Sequence, residues 1–506
     1  MGPGRADVRP ARRTALSDDG IGVGPAVLGD PVDQPSATEE LSPAVTRPDH
    51  LAPEAPSAPE GGLHRTLSLR HLVVYGLLFI GVTAPMGTFG VLDARSDGAV
   101  ALVFLVATLA MAFTAWSYAR MSVAVPRAGS VSAYATAGLG RRAGFMAGWM
   151  IGLDYLFIPS LAALFTGIAS HALLPTVPVW VFTTAAVVII TALNLGGVRL
   201  AATVGIVSLA VEILILAGFC VGAVVVLVHD GPARPWLSPL TGLDSFTLTG
   251  VLGAVSVAAL AFLGFDAIAT FAEETTGSPR RVGQALIFCL VLAGVLFVLQ
   301  TYLGALLMTT TPAELAAHPE EQGTVFYTMI GDSIGSWFGT TVTTARAVGP
   351  VLSALVAQAA VSRLMYGMAR DGQLPAGLAS VSRRTGVPRV AIVVSAVATL
   401  VIAVAAALKS DGLDLLSSMV TVGALTAFVF LHVAVVGYYV VGRRTERRVL
   451  HTVVPAVGVV IVVAVLVLAS HLALEVAGVW LVLGLVVMVL RARREARASA
   501  APGRAG

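Results

Sequence analysis

Runs of about 20 apolar residues recur along this chain almost without pause, and that recurrence constrains its fold more than any other feature. A helix needs about 20 residues to cross the hydrocarbon core of a bilayer. Runs of that kind occupy 72–93, 98–120, 144–171, 178–196 and 199–228, then 249–273, 283–309, 340–368, 389–408 and 415–441, with two more near 452–470 and 473–490. That makes about twelve spans. Composition agrees, since 56% of the 506 residues are hydrophobic and 12% are charged, against roughly 25% charged in a soluble domain. In lipid a segment must satisfy its own backbone polar groups, which segments of this length do as helices. The expected fold class is an all-α polytopic membrane protein whose first partner is the lipid bilayer.

The same composition excludes several classes. The net charge of +3 comes from arginines scattered in short connections, not from a basic face, so no nucleic acid partner is expected. Cys220 and Cys289 lie inside apolar runs, without the spacing of a metal site or disulfide framework, and no cofactor is expected. No G-x-x-x-x-G-K-[ST] segment occurs, which argues against an ATP-driven pump. Residues 1–66 and 492–506 have few large apolar side chains to offset the entropy of ordering and are expected as disordered cytoplasmic tails. The longest connection, TTTPAELAAHPEEQGTVFYTMIGDSIGSW, is expected to hold one short surface helix.

Charge in the connections gives an orientation. Alternate connections carry Arg120, Arg127, Arg141 and Arg142, then Arg199, then Arg280 and Arg281, then Arg370, Arg383, Arg384 and Arg389, then Arg443, Arg444, Arg447 and Arg448. The others carry Asp93, Asp97, Asp230, Asp244, Glu314, Glu320, Glu321, Asp332 and Asp411 against Arg95, Arg234 and Lys409. Positive charge stays on the cytoplasmic side, so both termini are expected there, with an even number of spans.

Two spans are interrupted at matching places. The first contains FIGVTAPMGTFG, with Gly81, Pro85, Gly87 and Gly90. The sixth contains AFLGFDAIAT, with Gly264 just ahead of Asp266 and a break expected at Leu263–Phe265. Freed backbone groups must line a cavity or be covered by protein, and paired interruptions in two five-helix blocks point to the midplane site of an inverted-repeat transporter. Gly and Pro also serve simple kinks and close packing in membrane helices. Asp154, Glu212 and Asp266 lie within apolar runs, where a lone charge costs at least about 2.5–3.5 kcal/mol, so each is expected to face a cavity or a partner. Asp266 fits an N-cap of the second half of its helix, or a gate, better than a direct contact with solute. Glu212 fits a site that takes up a proton, or a protonated packed residue. Glu273 and Glu274, near Arg280 and Arg281, are expected to make a local ion pair or gate.

Four separated segments carry a family resemblance: SYARMSVAVPRAGSVSAYATAGLG, GFMAGWMIGLDYLFIP, FLGFDAIATFAEETTGSPRR and AVSRLMYGMARDGQLP. With them the chain resembles the amino acid–polyamine–organocation superfamily of permeases from about Leu72 to about residue 470, most closely the putrescine-importer branch. The resemblance implies a leucine-transporter-type 5+5 inverted repeat plus two helices. Its core would be 67–441, with repeats at 72–228 and 249–441, followed by the two helices in 442–491. It implies that solute binds between the two breaks. A carboxylate would sit at Thr83, Ala84, Pro85, Met86 and Gly87, although Pro85 has no N–H to give. An amine would sit at Ala261, Phe262, Leu263 and Gly264, with Phe265 as a lid. Tyr155, beside Asp154, matches a solute contact of that branch. Two departures follow. Gly87 stands where the branch has a carboxylate, which weighs against putrescine itself. Glu212 stands where many relatives have lysine.

The expected function is therefore secondary active import of an amino acid or polyamine by alternating access, coupled to a proton or alternatively to sodium, with Glu212, Asp266, Glu273 and Glu274 in coupling or gating. The alternatives are a transporter-like amine receptor and an intramembrane aspartyl protease built on Asp154 and Asp266. The protease reading lacks a glycine directly before Asp266 and any match to a first catalytic motif, so no enzyme is expected.

Overall fold

The computed structural model describes residues 63 and 65–500, apart from 319–320, 410–411, 444 and 468–470. The tails expected over most of 1–66 and over 501–506 lie outside the described residues. The first span is a bent pair, α1 (Leu69–Ile80) and α2 (Ala84–Ser96), at 41° to each other. It is followed by α3 (Val100–Ala124), the short α4 (Ser130–Leu139), α5 (Arg141–Leu173), α6 (Val179–Leu195) and α7 (Val198–His229). After a single turn, α8 (Ser238–Thr241), the sixth span starts as α9 (Leu248–Leu260), breaks, and resumes as a 3₁₀ segment over Phe265–Glu274. Then come α10 (Arg280–Leu307), α11 (Pro312–Ala317), α12 (Val325–Ser333), α13 (Ser336–Arg370), α14 (Arg389–Ala407) and α15 (Gly412–Val435), which widens into a π-helix over Val436–Gly442. Last are α16 (Arg448–Val467) and α17 (His471–Ala500).

Among the described residues, 9 helical segments are long and apolar enough to span a bilayer, or 10 with the bent pair. Two more apolar helices, Val179–Leu195 and Leu474–Leu490, are shorter. The protein is all-α and polytopic. α17 continues to Ala500, so residues 492–500, expected in the tail, are helical.

The helices pack in pairs five spans apart: α3 along α10, α5 along α13, α6 along α14, and α1 against the Phe265–Glu274 segment. α7 shows how sequence sets the outer surface. Val207, Leu214, Val221 and Val228 recur every seventh residue and are exposed, while Leu209, Glu212, Leu216, Phe219 and Ala223 form the buried stripe opposite. In water such an apolar stripe would be a liability; here it faces lipid. The same spacing puts the Glu212 carboxylate on the inward face.

The two breaks have local causes. In the first, Gly81 has φ 74°, a conformation that L side chains rarely adopt, and Pro85 sits in the first turn of α2, where its missing N–H is no loss. In the second, Gly264 has φ 104°, and a Cβ there would lie 1.7 Å from Phe79 Cδ1. The second break falls at 261–264, slightly ahead of the expected position.

The long connection holds two helices, α11 and α12, in place of the one expected. α12 is no surface ornament: Phe326 is buried against Phe89 of α2 (5.1 Å between ring centroids) and Phe219 of α7 (5.2 Å). Val325, Met329 and Ile330 of the same helix are buried with it, and this apolar face is what pulls the connection inward.

Candidate substrate site

Both breaks open onto one cavity of about 350 Å³, within the usual range of small-solute sites. From the first break and α2 it is lined by Thr83, Ala84, Met86, Gly87 and Thr88, and from the second by Ala261 and Leu263. Phe79, Ile158, Leu161, Phe165, Ile215 and Tyr327 give it apolar walls, and Glu212 contributes its carboxylate from α7.

The backbone at the breaks is partly used and partly free. The Ala84 and Met86 amides donate back to the Gly81 and Thr83 carbonyls (2.9 and 3.1 Å). The Thr83 amide has no acceptor among the described residues, and the N-terminus of α2 brings its partial positive charge to the cavity. On the other side the Ala261 and Leu263 carbonyls have no donor among the described residues, whereas the Phe262 carbonyl accepts from Phe265 (3.4 Å). One wall of the cavity thus favours an anion and the facing wall a cation.

The first break is clamped from three helices. Glu212 of α7 accepts the Val82 amide, Gln300 of α10 donates to the Val82 carbonyl (3.0 Å), and Ser353 of α13 donates to the Leu78 carbonyl (2.8 Å). The second oxygen of Glu212, Oε2, has no protein partner among the described residues, and the residue is 8% exposed.

The other expected site residues lie outside this lining. Phe262 packs between Phe104 and Phe297, and Phe265 between Tyr118 and Phe428, so neither ring covers the cavity. Pro85 and Gly264 shape the breaks without lining them. Asp266 Oδ2 accepts from the Tyr155 hydroxyl and from the Tyr118 hydroxyl (3.2 Å). The carboxylate lies near the backbone N–H groups of Gly264 and Asp266, but Oδ1 has no hydrogen bond of acceptable geometry among the described residues, so two tyrosines, rather than the helix end, are its main partners. Neither oxygen of Asp154 has a partner among the described residues.

Glu273 and Glu274 do not pair with Arg280 and Arg281. Glu274 is buried and bonded in a fork by Arg363 of α13, through Nε and through an outer nitrogen to Oε2 (3.0 Å). The Arg363 guanidinium also lies 4.6 Å over the Phe271 ring, which stacks on Tyr75. Glu273 accepts from the Ala128 amide (2.9 Å) and from Arg370 (2.6 Å), while Arg281 donates to the Thr276 carbonyl. The chain just ahead of α1 forms an isolated parallel bridge, Leu67 with Thr275, and the Thr66 and Leu67 amides donate to the Glu274 carbonyl (both 2.9 Å). This knot ties the sixth span to α13 and to the chain ahead of α1.

Sequence reasoning passed over Arg363, Gln300 and Tyr118. The signal for Arg363 was present: it is an arginine inside an apolar run, and such a charge demands a buried partner. Nothing in the order of residues announced that the partner is Glu274.

A protein of this build, with two interrupted spans around one cavity and a polytopic apolar surface, is a solute carrier of the permease class. The amino acid permease family matches residues 71–489, and the chain belongs to that family. It is 29% identical over 393 residues to the low-affinity putrescine importer PlaP of Escherichia coli (strain K12), covering 76% of this chain and 83% of that one. It is 27% identical over 468 residues to the branched-chain amino acid permease BcaP of Bacillus subtilis (strain 168), covering 85% and 94%. It is also 29% identical over 400 residues to the vacuolar cationic amino acid transporter 4 of Arabidopsis thaliana, covering 74% and 63%. These relatives are transporters, and this multi-pass membrane protein is a transporter and not an enzyme.

Proposed function

We propose that the chain is a secondary active permease that imports an amino acid or a polyamine across the cytoplasmic membrane by alternating access, coupled to protons, with both termini in the cytoplasm. The observation that carries the reading is the pairing across one cavity of a helix N-terminus and a free Thr83 amide with the free Ala261 and Leu263 carbonyls. That arrangement complements the carboxylate and ammonium of a zwitterion, and its ammonium half also serves a polyamine. The relatives named for putrescine, branched-chain and cationic amino acids fit the same two solute classes. The five-apart pairing of spans supports two repeats, 72–228 and 249–441, in a core over 67–441 with two helices beyond it.

Glu212 is the coupling group in this reading. It is the one carboxylate lining the cavity, and it holds the Val82 amide of the break. A carboxylate that gains a proton loses much of its strength as an acceptor, so proton uptake would loosen the first span where solute binds. Asp266 and the Glu273–Glu274 pair hold the second break and the arginine-rich end, as gates. The test is uptake of labelled amino acids and putrescine into proteoliposomes. An acidic exterior should accelerate uptake, and a protonophore should abolish that gain. Glu212→Gln should transport at a rate indifferent to the gradient; a variant that keeps the full response removes Glu212 from coupling.

A further inference from the structure

Behind the cavity wall lies a second, closed cluster of acids. Asp154 of α5 and Asp266 are both fully buried, and Tyr155, the residue next to Asp154, donates its hydroxyl to Asp266. Three of their four oxygens, both of Asp154 and Oδ1 of Asp266, have no hydrogen-bond partner, and neither residue has a basic partner among the described residues. The Tyr134 hydroxyl on α4 is likewise buried without a partner. Two carboxyls in a low-dielectric interior without a counter-charge are a large unfavourable arrangement unless something positive joins them.

The surroundings describe what that something is. The Tyr155 and Tyr118 hydroxyls fix Asp266, and the Tyr118 ring stands edge-on to Tyr134, Phe265 and Phe428. These rings make an enclosed apolar setting around the carboxylates, in which an organic cation that meets a ring face gains attraction beyond charge. An alkylammonium carries three N–H donors, and both oxygens of Asp154 are open to it among the described residues.

Phe79 touches both the cavity and the surroundings of the cluster. Phe79 lines the cavity on one side, and on the other it meets the Tyr155 ring (6.3 Å between centroids) and the Gly264 backbone. It belongs to the last turn of α1, directly ahead of the break at Gly81, so movement of the break carries it.

We propose that the Asp154–Asp266 cluster behind Phe79 is a second ammonium subsite, which receives the distal amino group of a solute that carries two. This rests on reading the chain as an amine or amino acid permease. A diamino acid would then place its carboxylate at α2, its α-ammonium at Ala261 and Leu263, and its side-chain ammonium past Phe79. A diamine would use the last two positions. Gly87, which offers no carboxylate at the first break, leaves this cluster as the place for a second positive charge.

Matched ligands test it on the purified full chain by thermal unfolding. L-Lysine and L-norleucine differ by one terminal amino group, and so do putrescine and n-butylamine. The diamino member of at least one pair should stabilise wild type at a concentration at least tenfold lower than its partner. Asp154→Asn should bring the members of that pair within about twofold of each other. Equal midpoints within both pairs on wild type overturn the proposal, and mean that the cluster holds a proton only. That comparison decides even where the variant fails to fold. Stabilisation by norleucine or leucine alone sinks the subsite and leaves the permease reading standing. No stabilisation by any amino acid or amine sinks both.

Discussion

Gly264 carries two constraints at once. Its φ of 104° lies in the left-handed region, and its missing Cβ is the space that the Phe79 ring fills. Gly264→Ala would strain the backbone by about 1–3 kcal/mol and drive a methyl into a ring at 1.7 Å. Because the ring also lines the cavity, the expected result is more than loss of stability. Uptake should fall at least about tenfold, and the unfolding temperature should drop by several degrees. Wild-type uptake by this variant would show that the second break tolerates a rearranged backbone. Glu212 makes a different residue-scale point. Its place in an apolar run was readable, but the face it takes and its partner, the Val82 amide, were not, because the helix is apolar all round and 130 residues of chain separate the two.

Between elements, two buried ion pairs among the described residues tie the spans. Glu274–Arg363 joins the 3₁₀ half of the sixth span to α13. Asp93–Arg234 joins the end of α2 to the segment before α8 with two bonds of 2.8 and 2.9 Å, and Arg234 donates further to the Thr310 carbonyl. Removing one partner of such a pair strands a buried charge, typically at 3–5 kcal/mol, whereas removing both often costs little. Arg363→Met should therefore unfold well below wild type by about that margin, and the Arg363→Met/Glu274→Gln double variant should recover much of it. A double variant as unstable as the single would mean that packing of Arg363 on Phe271, not charge, holds the knot. Elsewhere the local sequence was sufficient. Thr311 and Glu314 make a capping box at the start of α11, and the Thr311 amide and hydroxyl hold the exposed Glu314 carboxyl below the usual carboxylate range.

For the whole molecule, the distribution of arginine sets a testable orientation. Ser380 and Ser245 are exposed in connections that the charge pattern assigns to opposite sides. In intact cells Ser245→Cys should react with a membrane-impermeant maleimide, and Ser380→Cys only after permeabilisation. The opposite pattern would invert the topology, and equal labelling of both would break the alternation of spans. The native Cys289 is buried and Cys220 is half-buried, which keeps the background low.

The sequence by itself determined the class of fold, because the length of an apolar run answers to bilayer thickness and to nothing else in the molecule. It also located both breaks, since Gly81, Pro85 and Gly264 act on the backbone within a residue or two of themselves. It marked Asp154, Glu212 and Asp266 as groups that need an explanation, because a carboxyl in an apolar run is expensive wherever it ends up. Only the tertiary structure decided what answers them. Glu212 meets the first break, Asp266 meets two tyrosines, Asp154 meets no donor among the described residues, and Glu274 meets Arg363 in place of its neighbours in sequence. These pairings join helices far apart along the chain. Hydrogen bonds and ion pairs form by distance in space, which spacing along a helix does not encode beyond its own face.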